Sequence, residues 1–285
     1  MARADGKYTF NAMGDVVEVS ISTSRSFLNM NWSHRWKSSL RAAVWHFLAS
    51  LLVAALAAAL VFGVWYPYPY RELAGGRELF FIVVAVDVIC GPLLTLVLFN
   101  PRKSKRELWL DLTLVAMVQL TALAYGIHTV AQARPVYLVF EVDRFKVVSA
   151  ADVVMDDLKP ELGGLQKLPW TGPIIIGIRG PRDSEEMLQS LDLSLQGVEP
   201  SARPGWWQTY DLSKAQVLAR AKPLTDLRAR KPDAAPLIQQ VIEVSRLPEE
   251  RLAWVPLTSF RSTEWVALID RETAEVRAYA PVDGF

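Results

Sequence analysis

The sequence has 285 residues, 51% of them hydrophobic, and 31 Lys and Arg against 30 Asp and Glu leave a formal net charge of +1. That balance, with no basic stripe, excludes nucleic acid as an expected partner. The single cysteine, Cys90, excludes an intrachain disulfide and any Cys-based metal or redox motif. The three histidines, His34, His46 and His128, all precede residue 132, as do the apolar runs, while most of the charge follows it. The composition therefore predicts a membrane part joined to a soluble part that lacks Ser-His-Asp, Cys-His and common zinc chemistry.

Residues 1–29 are polar, mixed and aperiodic, and are expected to be disordered or to precede a natural start at Met30-Asn31-Trp32. Residues 30–43 form a basic segment with Arg35, Lys37 and Arg41. The region 44–132 holds three apolar runs, at about 44–65, 79–99 and 108–131, each long enough to cross a bilayer as a helix. Ala57-Ala58-Ala59 offers a signal-peptide cleavage site, but the run continues through Val61, Phe62 and Val64, so an uncleaved anchor is expected. Arg102, Lys103, Lys105 and Arg106 lie between the second and third runs, whereas Arg71, Glu72, Arg77 and Glu78 balance between the first and second. Positive loops stay cytoplasmic. The N-terminus is therefore expected inside the inner membrane and residues 133–285 in the periplasm of a Gram-negative cell.

On the second run, Asp87, Gly91 and Thr95 recur every four residues and share a helix face, as do Ala55, Ala59 and Gly63 on the first. On the third, Asp111, Gln119, Ala122, Gly126 and Thr129 lie along one broad stripe. Small residues let helices approach closely, and polar ones need partners away from lipid. The stripes are expected to face each other or another transmembrane helix, which makes them the candidate partner-binding set. Asp87 is the most unusual: a carboxyl at that depth requires protonation, a hydrogen bond within the bundle, or contact with a partner helix. Asp111 lies near the cytoplasmic end, within reach of the interface. Gly91-Pro92 is expected to weaken or kink its helix and free backbone carbonyls that something must satisfy.

The first run ends in WYPYPY, residues 65–70. Trp65, Tyr66, Tyr68 and Tyr70 are expected to anchor the chain at the membrane interface, where an aromatic ring has an apolar body and a wet tip. Tyr68 and Tyr70 can reach lipid, the soluble domain or a partner. Pro67 and Pro69 are expected to stop the helix and favour an extended exit.

Residues 133–285 suffice for one core of ordinary size. "PVYLVFEVDRFKVVSAADV" predicts two strands turning at Asp143-Arg144-Phe145, and "GPIIIGIRGP" a buried strand. "PRDSEEMLQSLDLSL" starts like a helix capped by Asp183 or Ser184. "DLSKAQVLARAKPLTDLRAR", interrupted at Pro223, and "APLIQQVIEVS" read as further helices, and the C-terminal segments as strands with a turn at residues 270–273. The fold class is thus three transmembrane α-helices followed by an α+β domain. The domain has no Gly-rich phosphate loop, nucleophile elbow or metal spacing, so no catalytic residue, cofactor or metal is expected. The adjacent pairs Asp156-Asp157, Glu185-Glu186 and Glu249-Glu250 diverge in any regular element and read as solvated surface. Trp206-Trp207 suits either a sugar or protein contact or, for at least one ring, the core. Arg144 suits either a buried ion pair or outward recognition.

The segments "VWYPYPY", "VDVICGPLLTLVLFNP", "LDLTLVAMVQLTALAYGIHTVAQARPVYLVF" and "VDRFKVVSAADV", in this order, resemble the type IV pilin accessory proteins. The likeness extends more loosely through "LPWTGPIIIG", "VLARAKPLTDLR" and "LAWVPLTSF", and covers about residues 30–285. These are small inner-membrane proteins encoded beside pilin genes. The resemblance implies a non-enzymatic, chaperone-like role in pilus assembly, with a major or minor type IV pilin as partner alongside inner-membrane lipid and other pilus assembly proteins. The alternative is a membrane-anchored enzyme modifying pilin or an envelope glycan. The short cytoplasmic loops leave no room for a sensor's output domain.

Overall fold

The computed structural model describes residues 8–10, 16–18, 32–100, 103–158, 165 and 167–285. Tyr8–Phe10 (β1) and Val16–Glu18 (β2) pair antiparallel. The rest of residues 1–29, the start at Met30-Asn31, and Arg102 lie outside the described residues.

Three helices are long and apolar enough to cross a membrane. The first, α1 (Trp32–Leu60), continues as a π-helical turn over Val61–Trp65. After the short α2 (Tyr70–Leu73) come α3 (Gly76–Leu98) and α4 (Lys105–Gln132). Ser104 and Glu107 cap α4 reciprocally, satisfying two of the amides that a helix start leaves free. α3 packs on both α1 and α4 and stays helical through Pro92.

The α+β domain is built on an eight-stranded mixed sheet. Its strands are β3 (Pro135–Glu141), β4 (Arg144–Ser149), β5 (Ile174–Ile178), β6 (Trp207–Thr209), β7 (Lys222–Pro223), β8 (Leu252–Thr258), β9 (Trp265–Asp270) and β10 (Val276–Ala280). The order is β10-β9-β8-β4-β3-β5-β6, with β7 also paired to β8. The β3/β5 and β4/β8 pairs are parallel and the rest antiparallel. The helices are α5 (Ser184–Leu195), α6 (Tyr210–Arg220), α7 (Leu224–Arg230) and α8 (Ala235–Ser245). Asp183 caps α5 through the Glu186 amide, and Pro223 separates α6 from α7.

The β3–β4 turn differs from its expected position. It falls on Val142-Asp143, with Glu141 opposite Arg144. Phe145 is inside the sheet, its ring 5.5 Å from that of Phe140, and a turn there would expose it. Val142 takes φ 60°, the Asp143 N–H donates to Glu141 O at 2.7 Å, and the Val142 side chain is exposed. A β-branched residue is strained at that φ. Val142→Gly is expected to stabilise the protein by about 1 kcal/mol, because strain relief exceeds the entropy cost of glycine. Thermal unfolding of the intact protein in detergent checks this; an unchanged or lower midpoint counts against it.

Both sheet faces are covered. On one, Trp254, Val266, Leu268 and Ala278 meet Leu227, Ile238 and Ile242 of α7 and α8. On the other, Leu138, Phe140, Val255, Leu257, Ala267 and Ile269 share a core with Val61, Trp65, Tyr66, Tyr70, Leu73, Phe80 and Val130. The membrane helices and the sheet thus have a common hydrophobic interior.

This interior corrects the reading of WYPYPY as a lipid anchor. Trp65, Tyr66 and Tyr70 are 2%, 0% and 4% exposed, and only Tyr68, at 53%, faces out. Tyr66 Oη donates to Val130 O at 3.1 Å, and its ring lies over Gly76, where any side chain would strike it. Tyr70 Oη meets Tyr279 Oη at 3.1 Å. The prolines do stop α1, but the chain does not leave extended. Tyr70 N–H donates to Pro67 O at 2.8 Å, closing a turn that contains the cis Tyr68–Pro69 peptide and leads into α2. Burying three large rings is worth several kcal/mol, and the turn aims them at the sheet. Burial raises the Tyr66 phenol well above its ordinary pKa, against the pull of Arg134.

Trp206 and Trp207 both join the core. Trp207 packs at a tilt of 58° against Tyr137, and Trp206 has Arg179 and Arg203 at 4.8 and 4.9 Å from its ring centre. Arg144 is half-exposed, paired with Asp143 and placed over the Phe285 ring.

Candidate functional site

The polar and small residues of α3 are largely spent on its neighbours. Thr95 is buried, and its hydroxyl shares a hydrogen bond with His46 Nδ1 of α1. Ser39 Oγ donates to Phe99 O at 2.8 Å beside it. Gly91 is buried because the Gln119 carboxamide of α4 occupies the space a side chain would take. Gln119 Nε2 donates to Asp87 O at 2.9 Å. Pro92 has no N–H for Val88 O, the carbonyl four residues earlier, while the Gln119 donor goes to the neighbouring Asp87 O. A side chain at Gly126 would strike Val83, so the two helices are in close contact there as well. Asp111 pairs with Lys103 at the loop end of α4.

Two elements of the expected set are left unused by the bundle. Ala55, Ala59 and Gly63 are exposed along α1, and a side chain at Gly63 would meet nothing. Beside Gly63 is a recess of about 410 Å³ lined by Val64, Pro67, Thr171, Gly172 and Ile174. Its wall is fixed by Gly172 N–H, which donates to Val64 O at 2.8 Å in the π-helical turn. π-Turns recur at functional sites. Asp87 is half-buried, and its carboxyl forms no hydrogen bond or ion pair among the described residues; its backbone carbonyl is engaged by Gln119, and His46 of α1 is close enough to interact with the carboxyl electrostatically.

The globular domain assembles no acid/base couple from the adjacent carboxylates. Asp156, Glu185 and Glu250 are exposed, whereas Glu186 pairs with Arg179 and Glu249 with Arg228. The hydrogen bonds from Arg179 and the Arg182 amide hold Glu186 down at about 2. A cavity of about 750 Å³ opens beside the β3–β4 turn, where Lys146 pairs with Glu199 and Arg144 with Asp143, and Glu141 and Asp152 add two further carboxylates to the lining. Among the described residues, no group of three or more His, Cys, Asp or Glu could hold a metal ion.

A family model described as "Fimbrial assembly protein FimB" matches residues 34–75, from α1 through the WYPYPY turn and α2. The fimbrial assembly protein of serogroup I from Dichelobacter nodosus is 35% identical over 244 residues, covering 84% of this chain and 93% of the relative. The chain belongs to the FimB family of fimbrial assembly proteins. The serogroup E1 protein of the same organism is 34% identical over the same shares of both chains. The serogroups C1 and C2 protein is 48% identical over 113 residues, which is 40% of this chain and 86% of that relative. No solved structure matches. Membership makes this a fimbrial assembly protein, a context that suggests pilus components as partners. The FimB match falls on the segment that joins the first span to the shared interior.

Sequence reasoning did not single out His46 or Gly76, which hold α1 to α3 and admit the Tyr66 ring. Neither carries a local signal, because each acts on a side chain of another segment.

Proposed function

We propose that this protein binds pilin within the inner membrane and modulates its stability or assembly without chemistry of its own. The observation that carries the reading is the Asp87 carboxyl, half-buried in a membrane helix with no hydrogen bond or ion pair among the described residues and with His46 of α1 as its electrostatic neighbour. A carboxyl in a span needs a partner, and an incoming helix with a polar group supplies one. The open Ala55, Ala59 and Gly63 edge of α1 lets such a helix approach closely. Family membership supports a pilus component as that helix. In this reading Gly91, Thr95 and Gln119 support the site from inside the bundle, and Asp111 with Lys103 from its loop end. The basic residues Arg35, Lys37, Arg41, Lys103, Lys105 and Arg106 face the cytoplasm, and the α+β domain meets the pilin head in the periplasm. An enzymatic role draws no support from the dispersed carboxylates.

Photo-crosslinking tests this. Photoreactive residues at Ala55, Ala59 and Gly63, in cells making pilin, are expected to give a pilin adduct at least fivefold stronger than one at Leu114, exposed on α4. Asp87→Leu is expected to weaken the adduct by a similar factor while protein level holds. Equal or absent pilin adducts at all positions would sink the proposal.

A further inference from the structure

We propose that three aromatic–arginine pairs form a collar that rests in the lipid headgroup layer and seats the globular domain on the membrane. The pairs are Tyr68 with Arg71, Trp170 with Arg134, and Phe260 with Arg261. The three rings are 53%, 60% and 75% exposed, although Trp65, Tyr66 and Tyr70 beside them are buried. Arg71 lies 5.7 Å from the Tyr68 ring centre and Arg134 5.4 Å from that of Trp170. Arg261 follows Phe260 in the chain and lies against Gly75, the residue that caps α3.

Each pair is fixed to a helix end on the same side of the bundle. Tyr68 lies in the turn that follows the π-helical end of the first span. Trp170 sets its ring against Trp65 at 5.4 Å, two residues before the Gly172 amide that bonds Val64. Its arginine, Arg134, donates to Ala131 O just beyond α4. Phe260 sits in the β8–β9 loop, where Ser259 Oγ donates to Leu73 O at 2.6 Å and Arg261 approaches Glu78 at 3.7 Å. Three segments far apart in sequence thus deliver an exposed ring and a guanidinium to one level. That level is set by the ends of helices that cross a membrane, so it is the headgroup layer. Interfacial rings put their apolar bodies toward the acyl chains there, and guanidinium groups match phosphate oxygens in a fork. The occupant is lipid because the collar continues the surface of the spans. The inference needs only that the helices span, and it is independent of pilin.

The test uses the full chain in vesicles without pilin. In a Cys90→Ala background, Arg71→Cys, Trp170→Cys and Phe260→Cys each carry an environment-sensitive fluorophore. Val244→Cys is the reference; Val244 is 65% exposed on α8, across the sheet from the bundle. In phosphatidylglycerol-containing vesicles with nitroxide-headgroup lipid, probes at 71, 170 and 260 are expected to be quenched at least threefold more than at 244, with blue-shifted emission. Quenching at 170 and 260 no greater than at 244 overturns the collar. Because the probes occupy separate segments, misfolding of one variant leaves the others to decide.

Discussion

Tyr66→Ala is expected to destabilise the intact protein by about 3–5 kcal/mol, the cost of emptying a large aromatic site in a close-packed core. The ring is fully buried where α1, α3 and α4 meet the sheet, and Gly76 has no side chain to fill the space. Collapse into the hole is limited because both sides are helix ends held by other contacts. Tyr66→Phe keeps the ring and loses only the bond to Val130 O, so about 1 kcal/mol is expected. Thermal unfolding in detergent, with limited proteolysis of the α+β domain, reads both. A small effect for Tyr66→Ala would mean that the domain does not depend on the bundle.

Asp270→Asn is expected to cost about 2–4 kcal/mol at neutral pH, less than a fully buried pair because its arginines keep contact with water. The Asp270 side chain is fully buried at the end of β9. Its oxygens accept from Arg251 Nη2 at 2.7 Å and from the Glu272 amide at 2.9 Å, and Arg277 lies 3.8 Å away. Burial alone would raise this carboxyl; the Glu272 amide, Arg251 and Arg277 together hold it below the ordinary range. The folded pKa is thus depressed relative to the unfolded chain. The contribution is complete above about pH 4, the unfolded value, and is lost as pH falls through the folded one. Unfolding midpoints at pH 7 and pH 3 should therefore converge between wild type and Asp270→Asn. A difference that persists undiminished at pH 3 contradicts the linkage.

How legible each feature was in the sequence follows from where its physics resides. The apolar lengths of α1, α3 and α4 and the order of the α+β elements rest on local signals, namely run length, alternation, Asp183 and Pro223. The fate of WYPYPY is not local. An aromatic bound for a lipid interface and one bound for a core carry the same ring, and the difference lies in Gly76, Val130 and Tyr279. Likewise, Asp87-Gly91-Thr95 was readable as a face, but its use by His46 and Gln119 required knowing which helices lie beside it. The Val142 turn was misplaced because no glycine marks it. Trp170 and Phe260 gave no signal, since each sits alone in a loop whose neighbours come from the membrane region.

The interior shared by the helix ends and the sheet sets an order of events in biogenesis. Leu138, Phe140, Val255, Leu257 and Ala267 are covered on that face partly by Val217 and Leu218 of α6 and otherwise by Val61, Trp65, Tyr66, Leu73 and Phe80. The spans and linker emerge first, and the strands that need them follow. The helix ends therefore complete the cover that α6 begins, and without them part of an apolar sheet face would stand in water.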